Sequence, residues 1–173
     1  MARAWLGLGA NLGEPAAQLA LALQRIAALP KTRLVARSSL YRSDPVGPAG
    51  QPDYCNAVAE IDTALPPATL LEALLAIERD AGRTRDGIRW AARLLDLDVL
   101  HVDGVALDTP TLRLPHPRLH ERNWVLVPLA EIAPTLVIPG LGEVAALAAA
   151  IGARGLRKWP ADAADGCASV AAP

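Results

Sequence analysis

Several residue types are scarce in this 173-residue chain, and each scarcity argues against a class of protein. Phenylalanine is absent, and aromatic residues make up only 3% of the sequence. Because RNA-binding sheets of the common type present aromatic side chains on their central strands, such a surface is not expected. The two cysteines, Cys55 and Cys167, provide neither a disulfide framework nor a metal-binding motif. Free thiols are typical of a reducing compartment, which predicts a cytoplasmic protein.

The chain also lacks the features of exported and membrane proteins. It contains no run of about 18 uncharged apolar residues, so no membrane span is expected. The N-terminal segment is broken by glycine and soon reaches Glu14 and Pro15, which makes it a poor signal peptide. The formal net charge is −1, and such a balance argues against a general binder of nucleic acids or membranes. We expect neither as a partner.

Two common nucleotide-binding motifs are missing as well. Gly7, Gly9 and Gly13 approach the G-x-G-x-x-G pattern, but the third glycine stands one residue late. No acidic residue lies between positions 15 and 43 to bind a ribose hydroxyl. A tight strand-to-helix turn is therefore the preferred interpretation of these glycines. The pattern G-x-x-x-x-G-K-[ST] does not occur either, so any nucleotide chemistry must use another scaffold.

The composition is that of a folded protein, because 52% of the residues are hydrophobic and 20% are charged. The length predicts one domain. The last residues, from Pro160 on, contain few side chains that form a core. We therefore expect a single domain over residues 1–159 and a flexible tail over residues 160–173.

Hydrophobic periodicity, proline and glycine divide the domain into strands and helices. The predicted strands cover residues 3–9, 33–42 (interrupted by a bulge), 54–61 and 93–100. The predicted helices cover residues 15–30, 68–81, 124–133 and 143–152. The leading order of strand, helix, strand, strand, helix, strand is that of the ferredoxin-like α+β sandwich, with helices on one face of a mainly antiparallel sheet. The opposite face would be free to carry a site beneath polar loops at 43–53 and 82–92.

Two carboxylates, Asp96 and Asp98, stand one residue apart inside a strongly apolar run. In a strand they project from the same face, about 6.6 Å apart, while Leu95, Leu97 and Val99 face a core. Like charges this close favour a cation between them, and hard divalent ions prefer carboxylate oxygen. Spacing alone leaves two interpretations open: a magnesium site, or solvated carboxylates paired with arginines.

Arginines are concentrated just before this strand, at Arg83, Arg85, Arg89 and Arg93. Guanidinium groups bind phosphate oxygens bidentately, and carboxylates for magnesium beside arginines for phosphate are the recurring parts of phosphoryl transfer. Any single one of these arginines is also compatible with a solvated surface.

Other polar and aromatic residues have both a functional and a structural interpretation. His116 lies between two prolines, close to Arg118 and Arg122, and is positioned to face a polyphosphate, although a lone histidine is more often structural. A planar heterocycle with amide-like edges would suit a further group, for which ordinary packing is the simpler interpretation. This group comprises Tyr54, Asn56, Trp90 and Trp124.

Five collinear segments of the chain resemble the 6-hydroxymethyl-7,8-dihydropterin pyrophosphokinase family of folate biosynthesis. The most specific of them ends in the Arg-Leu-Leu-Asp-Leu-Asp strand at residues 93–98. The segments are residues 9–13, 39–43, 51–57, 89–98 and 115–122, and residues 128–134 agree as well. The resemblance runs from about residue 4 to about residue 140 in one order without large gaps.

This resemblance implies an ATP-dependent diphosphotransferase. The enzyme would transfer the β,γ-pyrophosphoryl group of ATP to the hydroxymethyl oxygen of the pterin and release AMP. Asp96 and Asp98 would hold two Mg²⁺ ions, and Arg83 and Arg93 would neutralise charge that develops on the transferred group. These four residues are the expected catalytic set.

The resemblance also implies both ligand sites. ATP would contact Glu78, Arg85, Trp90, His116 and Arg122. The pterin would contact Ser43, Pro45, Val46, Tyr54, Asn56 and Trp124. We expect a monomer with these two small molecules as its partners. The alternative to an enzyme is a ferredoxin-like module that binds a small ligand or RNA without catalysis.

Overall fold

A central antiparallel sheet organises the chain, and the computed structural model describes it over residues 1–46, 49–82 and 94–160. The first elements are β1 (Ala2–Ala10), α1 (Pro15–Ala27), β2 (Thr32–Arg37), β3 (Tyr41–Ser43), β4 (Tyr54–Thr63), α2 (Pro67–Asp80) and β5 (Asp96–Val102). They are followed by β6 (Leu107–Asp108), β7 (Arg113–Leu114), α3 (Asn123–Ile132), β8 (Val137–Ile138), β9 (Gly142–Glu143), α4 (Val144–Ile151) and β10 (Leu156–Lys158). No helix among these has the length and apolarity that crossing a bilayer requires.

The strand order of the main sheet is β10-β3-β4-β1-β5, and β2 pairs with β4 beside β3. Strand β1 lies between β4 and β5 and is antiparallel to both. If β2 and β3 are counted as one interrupted strand, this is the order of the split βαβ arrangement. The predicted α+β, ferredoxin-like class is therefore confirmed.

The strand predicted over residues 33–42 is in fact two strands, because the pairing with β4 is interrupted at Ser38. The backbone N–H of Ser38 donates to the Val58 carbonyl at 2.9 Å. The Ser38 hydroxyl in turn accepts from the Val58 N–H, also at 2.9 Å. A side-chain oxygen thus takes the place of a main-chain acceptor, and the chain changes direction without leaving the Val58 N–H unpaired.

The main core lies between one face of the sheet and helices α1 and α2. Proline at the first position of each helix suits a site where an N–H would have no intrahelical partner. Apolar residues then recur every three or four positions, which gives each helix one buried stripe. The buried side chains are Ala16, Leu19, Ala22, Leu23 and Ile26 in α1, and Leu70, Leu74 and Ile77 in α2.

The opposite face of the sheet is only partly free, which corrects the expectation of an open face. Helices α3 and α4 cover the part of this face where Trp5 and Leu100 join Val125, Leu126 and Leu129 in a second buried cluster. These apolar side chains project from the face opposite α1 and α2, so a second layer of helices is needed to remove them from water. The part of the face that remains open lies beside the N-terminus of α3.

The C-terminal end of α3 is tied to β3 through Glu131. Its Oε1 accepts from the Ser39 N–H at 2.9 Å and from the Ser39 hydroxyl at 2.7 Å. Its Oε2 accepts from the Tyr41 hydroxyl at 2.7 Å. Burial acts to raise the pKa of Glu131, but the hydrogen bonds from Tyr41 and Ser39 outweigh it and lower the pKa. Burial and the same hydrogen bond raise the pKa of Tyr41 to about 12.

We predict that Glu131→Gln reduces the free energy of unfolding at neutral pH by about 1 kcal/mol, because charge-assisted hydrogen bonds are replaced by weaker ones at an exposed position. A carboxylate whose pKa is lowered in the folded state stabilises the protein above its unfolded pKa and loses that effect as pH falls through its folded pKa. The difference between the two proteins should therefore shrink from pH 7 to about pH 3 in urea denaturation.

The exposed Glu72 of α2 offers a matched control, and Glu72→Gln should change the free energy of unfolding little at either pH. A difference between wild type and Glu131→Gln that stays constant across this pH range would contradict the role given to the Glu131 charge.

Candidate active site

A cleft of about 320 Å³ occupies the open part of the second sheet face. Its floor is strand β1, and its walls are the ends of β4 and β5, the N-terminus of α3 and the segment that follows β3. Most of the predicted site residues line it. These are Ser43, Val46, Tyr54, Asn56, Asp96, Asp98, His116, Arg122 and Trp124.

Two glycines leave the floor of the cleft bare. Gly7 and Gly9 both line it, and they alternate along β1 with side chains of the main core. Gly9 pairs with Asp96 of β5 on one side and with Asn56 of β4 on the other. Adjacent strands lie about 4.8 Å apart, so the Cα atoms of Asp96 and Asn56 are about 10 Å apart across Gly9. The structure places Gly7 and Gly9 inside β1, within the strand predicted over residues 3–9, and only Gly13 in the turn that leads to α1.

The acidic end of the cleft consists of Asp96 and Asp98. The structure confirms the predicted alternation, because Leu97 and Val99 are buried in the main core while both aspartates line the cleft. The Oδ2 atom of Asp98 lies 3.3 Å from Nη1 of Arg122. Arg122 is the residue before α3, so the second layer of helices supplies a cation to the carboxylates of β5.

His116 stands beside this pair as a neutral imidazole. Its Nδ1 accepts from the Arg118 N–H at 3.1 Å, so the ring proton of the neutral form is on Nε2. Burial lowers the pKa of His116; the guanidinium groups of Arg122 and Arg118 also lower it, whereas Asp98 raises it. The site therefore offers an uncharged N–H donor among charged groups.

The amide end of the cleft consists of Ser43, Tyr54 and Asn56. Asn56 is 5% exposed, and its Nδ2 donates to the Ser43 hydroxyl at 2.8 Å. A Cβ atom placed on Gly9 would lie 3.4 Å from Asn56 Oδ1, so this oxygen lies over the bare floor. The Trp124 side chain, at the start of α3, lines the same cleft.

Glu78 does not lie in the cleft, although a contact with ATP is predicted for it. It is 1% exposed on α2, on the far side of the sheet, and its Oε1 accepts from the Leu97 N–H at 2.7 Å. In this structure Glu78 therefore supports the strand that carries Asp96 and Asp98. Its contact with ATP stays a prediction.

Five further predicted contacts are not tested by the lining of the cleft. Pro45 lies between Asp44 and Val46, both of which do line it. Arg83, Arg85, Trp90 and Arg93 lie outside the described residues, and so does the predicted tail from residue 161 on. The roles expected of these side chains stay predictions.

The acidic end fits magnesium that arrives with a nucleotide. Within the described ranges, no group of three or more His, Cys, Asp or Glu side chains surrounds a common point. Such a set would be expected of a structural metal site. Magnesium is instead held by one or two carboxylates together with phosphate oxygens and water, and Asp96 and Asp98 provide such a pair facing the cleft.

The comparison with known families agrees with this geometry. The model of the 7,8-dihydro-6-hydroxymethylpterin-pyrophosphokinase (HPPK) family matches residues 5–134. The chain belongs to this family. The HPPK match includes every element that lines the cleft. Membership in a family of pyrophosphokinases does not favour the alternative of a non-catalytic binding module.

Individual relatives are similar over most of their length. The 2-amino-4-hydroxy-6-hydroxymethyldihydropteridine pyrophosphokinase of Pseudomonas aeruginosa is 48% identical over 158 residues, which are 91% of this chain and 97% of that protein. The protein of the same name from Methylorubrum extorquens is 51% identical over 140 residues, covering 81% of this chain and 88% of that protein.

Similarity to solved structures supports the fold. An HPPK-DHPS from Plasmodium falciparum, crystallised with pteroate, matches with a TM-score of 0.70 over 91% of this chain. The sequence identity is 11%, so this likeness concerns the fold alone. The match covers 46% of that longer chain, so this protein spans about half of its length.

We predict that Glu78→Ala lowers the free energy of unfolding by about 2 kcal/mol, because the buried Leu97 N–H loses its acceptor. The Leu97 amide should also exchange its hydrogen faster, which NMR measures residue by residue. Glu78→Gln keeps an acceptor at the same place and should lose less stability. Glu72→Ala, on the exposed side of the same helix, provides the control.

Equal loss of stability in Glu78→Ala and Glu72→Ala, or an unchanged exchange rate at Leu97, would count against the supporting role of Glu78.

Proposed function

We propose that this protein transfers the β,γ-pyrophosphoryl group of ATP to the hydroxymethyl oxygen of 6-hydroxymethyl-7,8-dihydropterin and releases AMP, in folate biosynthesis. The observation that carries the proposal is the order of groups along the cleft, with carboxylates at one end, glycines in the middle and an amide at the other end. The relatives from Pseudomonas aeruginosa and Methylorubrum extorquens carry the name of this activity.

The amide end suits the pterin ring. Asn56 Nδ2 donates to the Ser43 hydroxyl, which fixes the orientation of the amide. Its carbonyl oxygen can then accept hydrogen bonds from N–H groups at the edge of a pterin. Tyr54 and Trp124 are flat side chains that line the same space, and flat rings pack well against a heterocycle. The bare floor at Gly9 lets the ring lie directly on β1.

The acidic end suits the triphosphate. Asp96 and Asp98 are the residues that would hold two magnesium ions, whose chemistry is to neutralise the phosphate oxygens and to polarise the attacking hydroxyl. Arg122 Nε is buried and has no hydrogen-bond partner among the described residues, so it is a donor that a phosphate oxygen would satisfy. The Nε2–H of His116 supplies a second donor without adding charge.

The reaction follows from holding the two ligands at the two ends. The pterin hydroxyl oxygen forms a bond to the β-phosphorus and gives up its proton to the solvent. The bond from that phosphorus to the α-phosphate oxygen breaks, and AMP leaves with that oxygen. The chain contributes mainly by positioning and by charge, as is usual for phosphoryl transfer. Arg83 and Arg93 are proposed to bind the group in transfer, and the protein is proposed to act as a monomer.

The proposal is tested by incubating the protein with ATP, Mg²⁺ and 6-hydroxymethyl-7,8-dihydropterin and separating the nucleotides. We expect AMP to form in a one-to-one ratio with pyrophosphorylated pterin. Omission of the pterin should suppress AMP, which separates the transfer from hydrolysis of ATP. Formation of ADP, or no turnover, would refute the assignment.

We also predict that Asp98→Ala lowers kcat by about a hundredfold or more, because the site loses half of its carboxylate pair and the partner of Arg122. The fold should persist, since the Asp98 side chain is 38% exposed and lines the cleft. Circular dichroism and thermal unfolding check the fold, and AMP formation checks the activity.

Asp103→Ala is a suitable control for Asp98→Ala. Asp103 is an exposed carboxylate just beyond the other end of β5, far from the cleft, and its loss should leave kcat unchanged. Near-normal activity of Asp98→Ala would rule out the metal-holding role.

A further inference from the structure

We propose that strand β10 positions the wall of the cleft against which the pterin lies, with Arg157 as the positioning residue. The inference rests on the proposed function. It concerns residues beyond the 5–134 range that matches the family model. Strand β10 adds to the free edge of β3, where Arg157 pairs with Arg42 and Leu156 pairs with Ser43.

The first observation is that one guanidinium reaches both ends of the segment that joins β3 to β4. Asp44 is the first residue of this segment and Asp53 is the last. Nη2 of Arg157 lies 3.6 Å from Asp44 Oδ1 and 3.8 Å from Asp53 Oδ2. The two ends are already neighbours through the pairing of Ser43 with Tyr54, and the cation that both carboxylates face adds to that pairing.

A second arginine supports the same arrangement. Nε of Arg42 donates to Asp53 Oδ2 at 2.7 Å, and its guanidinium carbon lies 5.8 Å from the ring centroid of Trp159. The backbone N–H of Trp159 donates to the Leu40 carbonyl at 2.8 Å. The chain therefore continues along β3 after β10 ends, and it brings an aromatic ring to the guanidinium of Arg42.

The third observation concerns the direction of the Asp44 side chain. Asp44 lines the cleft, but its carboxylate is turned towards the segment before β10. Gly155 has a left-handed φ of +72°, and a Cβ atom placed there would lie 3.1 Å from Asp44 Oδ2. The carboxylate is thus held from outside, and the rest of Asp44 forms part of the cleft wall next to Ser43 and Val46.

The expected effect is on ligand binding rather than on stability. The side chains of Arg157 and Asp44 are 62% and 68% exposed, and exposed ion pairs contribute little to folding. The Asp53 end is also held from inside, because Asn11 Nδ2 donates to the Pro52 carbonyl at 3.0 Å. Of the two ends, the position of Asp44 therefore depends more on Arg157. Asp44 lies beside the residues proposed to contact the pterin.

The test compares Arg157→Gln with Arg157→Lys and Arg33→Gln in the full chain. We expect Arg157→Gln to raise KM for the pterin about three- to tenfold, with KM for ATP and the melting temperature unchanged. Arg157→Lys keeps the charge and should restore most of the affinity. Arg33 is a similarly exposed strand residue, paired with Asp62 far from the cleft, and Arg33→Gln should change neither KM.

The dependence of KM on ionic strength provides a second test of the same interaction. At about 1 M ionic strength the Debye length is about 3 Å, so the charge of Arg157 should be largely screened. The difference in KM for the pterin between wild type and Arg157→Gln should then disappear, because the wild type loses affinity. A purely structural defect would keep the difference at high salt.

Hydrogen exchange tests the arrangement without substrate or turnover. The amides of Ser43 and Tyr54, which flank the segment, should exchange faster in Arg157→Gln and at the wild-type rate in Arg33→Gln. Unchanged exchange at both amides would overturn the inference, whether or not AMP is formed. An unchanged KM for the pterin in an active enzyme would also overturn it, as would equal increases in both KM values.

Discussion

The register of β1 between β4 and β5 is the constraint on which the site depends. Nine consecutive residues of β1 pair with β4, from Ala2 opposite Thr63 to Ala10 opposite Cys55. The same strand pairs with β5 so that Gly9 faces Asp96. A shift by one residue would turn Leu6 and Leu8 towards the cleft and both glycines towards the core. The burial of these leucines under α1 and α2 therefore also determines which groups meet across the floor.

Helix α3 completes the cleft because it is itself held at both ends. At its N-terminus, Asn123 Nδ2 donates to the Arg154 carbonyl at 2.9 Å, and at its C-terminus Glu131 accepts from β3. Between these points, the apolar side of α3 packs on Trp5 and Leu100. The position of Arg122 and Trp124 over the sheet thus follows from contacts that lie outside the cleft.

Much of the fold was predictable from local patterns. The alternation of aspartates and leucines along β5 identified the core side and the cleft side, because successive side chains of a strand point to opposite faces of the sheet. The helical stripes of α1 and α2 were equally clear. An interruption of the strand over residues 33–42 was predicted as a bulge, but its division into β2 and β3 was not, since it depends on a hydrogen bond from the Val58 N–H to the Ser38 hydroxyl, twenty residues away in sequence.

The candidate site was predicted residue by residue through the family resemblance, but the geometry around it was not. Glycines two residues apart in a strand leave one face bare. Gly7 and Gly9 fall in the predicted strand, but their pattern was weighed only as a nucleotide-binding motif or a strand-to-helix turn, so the bare face was missed. Glu78 illustrates a different limit. Its carboxylate accepts from a main-chain N–H of β5, and no pattern in α2 alone reveals a partner on another element.

Two charges of the site, those of Asp98 and Arg122, compensate each other before any ligand arrives. Asp98 is paired with Arg122, and burial together with the neighbouring arginines favours the uncharged form of His116. Cations alone would release Arg122 without a partner, and a triphosphate alone would meet two carboxylates. On the proposed function, when both arrive, Asp98 would exchange a guanidinium for a metal ion while Arg122 would exchange a carboxylate for a phosphate oxygen. Because breaking a partly buried ion pair is costly when one charge stays unpaired, we infer that metal and nucleotide bind cooperatively.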